Sequence, residues 1–311
     1  MFTAVTPLRG IVAGLLVTLA VSGSAQGSPY RLIQETYFNG GSGQRGMRHN
    51  ADWSELKFDL NRHWHAVYSE NQYGGEIETD EAYLQFENAS SSLRLGRTRS
   101  GFGFGSWSDL WYSPVVSAPI CRFMPLADGM GLMDAGSGAE LTIWKGDVQA
   151  ELGILDRELG EHETMPRHMD QLRGRLQVHK GDLIVGFNAL TKRGSFSGES
   201  PRVLGLDYRW SAPRVLVRGE AMQGYGAGKA SGFYTDLTYR PPHFPRTQVA
   251  CRYEGYKVAG VENSSLYTFG VRQVVTTNLA LTLNYTWGQV PDFLYSMRGW
   301  QVQAALGVRF E

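Results

Sequence analysis

The chain has 311 residues, 30 Lys and Arg against 30 Asp and Glu, 38 glycines, and 8 Trp, 15 Tyr and 14 Phe. A zero net charge argues against nucleic-acid binding and against a strongly anionic partner. Two cysteines, Cys121 and Cys251, are too few for a disulfide framework, and a loop Cys121 is poorly placed to meet a Cys251 that sits on an apolar strand face.

In chain order, Arg9 precedes the apolar run Ile11–Val21 and a small-residue stretch ending at Ala25. This is the layout of a secretory signal. Eleven apolar residues fall short of the ~20 that a spanning helix needs. Gly23-Ser24-Ala25 predicts cleavage before Gln26, making 1–25 a signal peptide and 26–311 the mature domain. Losing Arg9 leaves that domain at about −1 by the same count. Later apolar runs are broken within a few residues by Arg, Asp, Gln or Gly, so no further stretch is a candidate spanning helix. An exported chain of this kind can still be integral by closing a β-barrel, which satisfies every backbone group inside lipid.

From Asp52 onward one unit repeats: a run of alternating apolar and polar residues, a turn, another run. Strands are predicted near Arg31–Tyr37, Trp53–Leu60, Trp64–Ser69, Glu81–Glu87 and Leu93–Ser100. After a long interruption, Gly101–Ser137, Ala139–Trp144 and Val148–Ile154 flank Lys145-Gly146-Asp147. Leu172–Val178 and Leu183–Ala189 flank Lys180-Gly181-Asp182, and Val203–Trp210 and Val215–Ala221 flank Ser211-Ala212-Pro213. Phe233–Arg240 and Arg246–Tyr256 form a further hairpin, and Ser265–Val274 and Leu279–Trp287 flank Thr276-Thr277-Asn278. The connections at the opposite end are longer: 156–168, 192–201, 224–231, 257–264 and 289–298. Short turns alternating with long loops are the asymmetry of outer-membrane barrels.

The last strand, Trp300–Glu311, sets Trp300, Val302, Ala304, Leu306, Val308 and Phe310 on one face, with Gln301, Gln303, Ala305, Gly307 and Arg309 on the other. Taken alone it also suits a soluble sandwich. It resembles the closing strand of bacterial outer-membrane barrels, where a final aromatic is read by the barrel-assembly machinery. Glu311 after Phe310 departs from that pattern. The expected fold is all-β: a transmembrane antiparallel up-and-down barrel of about sixteen strands, or fourteen if the weak first strand is discounted.

Lys or Arg facing lipid near mid-bilayer costs roughly 2–4 kcal/mol, so charged positions are assigned inward. Leu172, Leu176 and Val178 then face lipid, and Arg173, Arg175 and Gln177 the lumen. By the same rule Arg218, Glu220, Asp236, Arg252 and Glu254 point inward, as do Glu55, Lys57 and Asp59. Trp64, Trp210, Tyr239, Trp287 and Trp300 fit interfacial girdles.

The Gly101–Ser137 segment is too aromatic for disorder, and its apolar content needs burial that the barrel mouth can give. Glu81-Ala82-Tyr83-Leu84-Gln85-Phe86 and Leu93-Arg94-Leu95-Gly96-Arg97-Thr98-Arg99-Ser100-Gly101-Phe102-Gly103 resemble the strand-turn-strand approach to the third extracellular loop of porins, within the phosphate-selective group. The resemblance implies that this third loop folds inward as a constriction. Arg94, Arg97, Arg99, Asp109, Arg122, Asp128, Arg173, Arg175, Arg218, Glu220, Arg252 and Glu254 are the expected pore-lining and constriction residues. Arg94, Arg97, Arg99 and Arg122 are offset by Asp109, Asp128 and Asp134, so neither phosphate nor an ion sign is specified.

Catalytic signals are weak. Gly101-x-Gly103-x-Gly105 lacks a strand-to-helix unit, and no Gly-x-Ser-x-Gly elbow is present. His63 and His65, and the loop cluster Glu161, His162, Glu163 and His168, read as solvated rims rather than metal sites. The expectation is a passive diffusion channel of the bacterial outer membrane for small hydrophilic solutes, with no cofactor and no nucleic acid. Its expected partners are outer-membrane lipid and lipopolysaccharide, the barrel-assembly machinery through the C-terminal strand, and further copies in a homotrimer. A non-conducting scaffold or adhesin and an outer-membrane hydrolase are the alternatives.

Overall fold

The computed structural model describes residues 30–42, 48–73, 76–99, 102–103, 114–116, 119–123, 132, 135–157, 169–192, 202–226, 229–258, 263–290 and 298–310. The expected signal segment, the 161–168 cluster and Glu311 lie outside the described residues.

Sixteen strands follow one another in chain order: β1 (Tyr30–Gly41), β2 (Arg48–Asp59), β3 (Trp64–Tyr73), β4 (Glu76–Glu87), β5 (Ser91–Arg99), β6 (Ala135–Lys145), β7 (Val148–Arg157) and β8 (Met169–Lys180). Then come β9 (Leu183–Lys192), β10 (Arg202–Ser211), β11 (Val215–Tyr225), β12 (Ala230–Tyr239), β13 (Thr247–Val258), β14 (Ser264–Thr276), β15 (Leu279–Gln289) and β16 (Gly299–Phe310). Each pairs antiparallel with its chain neighbours, and β16 returns to β1, placing Gln34 opposite Val308 and Tyr37 opposite Ala305. The ring is closed, so each of these strands has a neighbour on both sides. Sixteen is therefore the count, not fourteen. The weak first strand runs on to Gly41 because β16 pairs with Asn39, Gly40 and Gly41 where alternation gives no signal, and β2 pairs with it as far as Asn39.

Several strands outrun their sequence pattern at the long-loop end. β4 begins at Glu76 rather than Glu81, since Glu76, Glu78 and Asp80 interrupt apolar alternation without interrupting backbone pairing. β6 begins at Ala135, so Gly136 and Ser137 belong to a strand rather than to the long loop. The tight turns behave as read: Gly146 and Gly181 each take φ 58°, the left-handed conformation a short hairpin reversal requires.

Alternation separates two faces. Leu172, Leu176 and Val178 on β8, Leu281 and Leu283 on β15, and Leu306 and Val308 on β16 are exposed on the outside. An apolar belt of this extent is suited to lipid. Across β12–β16 the outer face carries an aromatic ladder, with Phe233–Tyr253 centroids at 5.3 Å, Tyr253–Tyr267 at 4.7 Å, Tyr267–Trp287 at 5.7 Å and Tyr285–Trp300 at 4.7 Å. Inward positions on β8–β16, among them Gln171, Asp207, Arg252, Thr268 and Thr282, are buried. Cys251 is exposed on β13 while Cys121 is buried inside, and both are free thiols.

Candidate pore and its inner strap

Parts of the segment between β5 and β6 lie inside the barrel, and its described pieces form a strap against one wall. Phe102, Val115, Ile120, Cys121 and Leu132 are buried, and a short helix, α1 (Ile120–Phe123), carries Cys121 and Arg122. The strap supplies main-chain donors and apolar side chains; the wall supplies polar side chains aimed inward.

Among the described residues, attachments at four places hold it. The Gly103 N–H donates to Asn188 Oδ1 at 3.0 Å, and Asn188 in turn donates to Asp207, which accepts Arg175 at 3.0 Å. Gly103 has φ 70°, and any side chain there would enter the Glu220 carboxylate, so only glycine suits the position. Arg122 donates to the Phe102 carbonyl and to Glu220 Oε2 at 3.0 Å, while Tyr234 Oη donates to Glu220 Oε1 at 2.9 Å. The Ile120 N–H donates to Glu254 Oε2 at 2.6 Å. Farther round, Asn284 accepts from the Val116 N–H at 2.6 Å and donates to the Pro114 carbonyl at 2.9 Å.

Between these polar points lies an apolar contact. Phe102, Ile120, Cys121 and Leu132 pack with Leu190, Val203, Met222, Ala230, Tyr234 and Tyr256. Cys121 seats on Gly232, where a Cβ would collide with the cysteine Cβ. The strap thus lies along β9–β15. Burying its main-chain donors without these acceptors would cost about 1–3 kcal/mol each, so the inward Asn and Glu are structural necessities.

The wall beneath is bound by ion pairs. Asp236 accepts Arg218 at 3.2 Å and Arg252 at 2.6 Å, and Arg173 pairs closely with Glu140. The opposite inner wall, β1–β5, differs. Arg31 meets Glu55 at 2.9 Å, Lys57 and His65 approach Asp59 at 3.9 Å and 2.5 Å, and Arg94 lies 5.1 Å above the Tyr83 ring while donating to Gln85. The most exposed inner cations lie on the β1–β5 wall, Arg31 44%, Arg94 36% and Lys57 33%, against Arg173 6%, Arg122 3% and Arg252 2% on the other side, although Glu35, Asp80 and Arg99 on β1–β5 are also largely covered.

The expected site residues therefore fall into groups. Arg122 lies in the strap, Arg218, Glu220, Arg252 and Glu254 on the wall that it covers, and Arg173 and Arg175 beside that wall on β8, all largely dry. Arg94 is half-exposed on the facing wall. Arg97 donates to the Thr79 carbonyl at 2.8 Å, and Arg99 pairs with Asp80 where β4 bulges against β3. Asp109 and Asp128 lie outside the described residues. Reading by charge missed Asn188 and Asn284, whose neutral amides give no signal, and Gly103 and Gly232, whose role is room. It also passed over Glu140 and Asp207. The row Arg218–Asp236–Arg252, directly opposed on three successive strands, could have been found once the register was drawn. His63 turns Nδ1 toward the Glu87 carbonyl and His65 toward Asp59, a rim arrangement.

No family model matches the chain, and no curated protein matches it. Solved structures do. OmpF of Salmonella typhi, solved with daunomycin, is 11% identical over 90% of this chain and 97% of its own, with a TM-score of 0.67. The anion-selective porin of Comamonas acidovorans is 13% identical over 90% and 97%, with a TM-score of 0.60. OmpT, an outer membrane protein of Vibrio cholerae solved in a trimer form, is 10% identical over 90% and 98%, with a TM-score of 0.58. At such identities the likeness is one of fold. The fold is that of the Gram-negative outer-membrane porins, and with its apolar outer belt it is an outer-membrane barrel.

Proposed function

We propose that this barrel is a passive diffusion channel for small hydrophilic solutes or ions, narrowed by the strap and conducting between the strap and the inner wall of β1–β5. The contrast between the two inner walls carries the reading. Water reaches Arg31, Lys57 and Arg94, while charged groups on the strap side are sealed against one another. No bond need be made or broken; a constriction lined by charge of both signs sets preference by size and field. Arg94 is then the expected site residue that a solute meets most directly, and Arg122, Arg173, Arg175, Arg218, Glu220, Arg252 and Glu254 hold the strap and its wall in place.

Residues 1–25 would deliver the chain to the envelope, and an intact mass starting at Gln26 would bear that out. The C-terminal strand would be the segment offered to the assembly machinery. A homotrimer is the expected assembly, supported by the trimer form of one structural neighbour and checked by mass in detergent. The decisive measurement is planar-bilayer conductance of the refolded barrel. Stepwise openings are expected, and their absence would overturn the channel in favour of a sealed scaffold.

A further inference from the structure

The inner wall of β10 and β11 carries an arrangement that a β-sheet ordinarily avoids. Arg209 and Arg218 stand directly opposite each other on these adjacent strands. Both project inward, in step with buried Asp207 and Glu220 and out of step with Leu206 and Trp210, which are exposed on the outside. Like charges set face to face across a strand pair are destabilising. Arg218 is turned to Asp236 at 3.2 Å, and Asp236 is already shared with Arg252 at 2.6 Å. Arg209 has no such outlet. It is exposed, and among the described residues its guanidinium meets Ser211 Oγ alone, donating to it at 3.2 Å.

The surroundings supply no second carboxylate. Between Asp207 and Glu220, between Asp236 and Glu254, and from 263 to 291 the sequence holds no Asp or Glu. The turns that join these strands add Arg214, Arg240 and Arg246, all exposed. The Arg240 N–H donates to the Arg214 carbonyl at 2.8 Å, so those two cations belong to abutting turns. Asp182, on the adjoining β8–β9 turn, is tied in through its main chain, its carbonyl accepting the Ser211 N–H at 2.9 Å. The groups that hold the strap, Asn188, Glu220 and Glu254, lie toward the long-loop end from Arg209, which therefore stands at the short-turn mouth.

We propose that Arg209 and Arg218 form a binding site for a small oxyanion, the carboxylate or phosphate of a solute, with Arg214, Arg240 and Arg246 drawing anions toward it. An anion between the two guanidiniums replaces their repulsion with charge-assisted contacts, and each planar fork matches a carboxylate or phosphate edge. The site rests on the channel reading for its use in transport and gives that reading a solute class, small anions. Binding is measured without current, on the refolded full barrel in detergent, by line broadening of phosphate and of succinate titrated separately at constant ionic strength against chloride. The wild type is expected to bind at least one of them with a dissociation constant on the order of 1 mM. A preference for phosphate assigns phosphorylated solutes, and a preference for succinate assigns carboxylates. Arg209→Gln is expected to weaken binding about ten-fold and, in chloride alone, to raise the midpoint of urea unfolding by removing the repulsion. Lys145→Gln, on the β6–β7 hairpin, is expected to change neither. Gel migration with and without heating verifies that each variant is folded. Binding no stronger than that of chloride, or binding that Arg209→Gln leaves intact, overturns the proposal. Intact binding by a barrel that passes no current upholds the site and overturns the channel instead.

Discussion

Asp236 is held between two guanidiniums on adjacent strands, and its removal would take this carboxylate from a buried Arg252 and a partly buried Arg218. Breaking a buried pair from one side costs about 3–5 kcal/mol, because the surviving charge loses its partner without regaining water. Asp236→Ala is therefore expected to destabilise the folded barrel by about that amount in urea titrations. Lys57→Ala on the facing wall, where the side chain is one-third exposed, is expected to change stability by less than about 1 kcal/mol. The thiols give a second expectation. Burial pushes the Cys121 thiol up and removes it from reagents, while Cys251 points away from it toward lipid. Denaturation without reductant should expose two alkylatable thiols per chain; a mass two units low with no alkylation would show a bridge.

At the scale of elements, the strands were legible and the strap was half legible. Alternation named each of β7 to β16 and its register, because a one-residue slip would turn Arg173, Glu220 or Arg252 into lipid, but it stopped three or four residues short at the long-loop ends of β7, β8, β9, β11 and β12. It shortened β4 and β6, where strands continue past the bilayer and no hydrophobic pattern is needed. The strap's burial followed from its apolar composition. Its attachment did not, since Asn188 and Asn284 act on main-chain groups that are the same in every sequence. Gly232 offers the handle on this element. Gly232→Val places a branched side chain where Cys121 sits, and is expected to lift α1 from the wall and change single-channel conductance while leaving strand content by circular dichroism unchanged. Unaltered conductance would mean that α1 does not bound the path. Deleting the strap outright is expected to raise conductance.

For the whole molecule, the proposed off-axis path makes a spatial prediction. In a Cys251→Ser background, cysteines at Lys57 and Tyr83 are expected to react with a charged thiosulfonate added to an open channel in a bilayer. Cysteines at Ala250 and Thr268, buried on the strap-side wall, are expected to resist it. Equal labelling of the two walls would replace the off-axis path with a central one. Selectivity should follow the same geography, responding to Arg94→Gln more than to Arg175→Gln, as read by reversal potential in a salt gradient.

The seam between β1 and β16 joins residues about 270 positions apart, and drawing such distant ends together costs about 5 kcal/mol of chain entropy on a logarithmic scale. The strap shortens that journey. Once Asn284 holds Val116, the stretch still to be closed is about 100 residues, and the cost falls by about 1 kcal/mol. The segment proposed to narrow the pore would thus act earlier as a tether, bringing the first strands within reach of the last before the wall is sealed. A barrel lacking the strap should conduct more and also seal more slowly, with refolding half-times lengthened relative to the full chain.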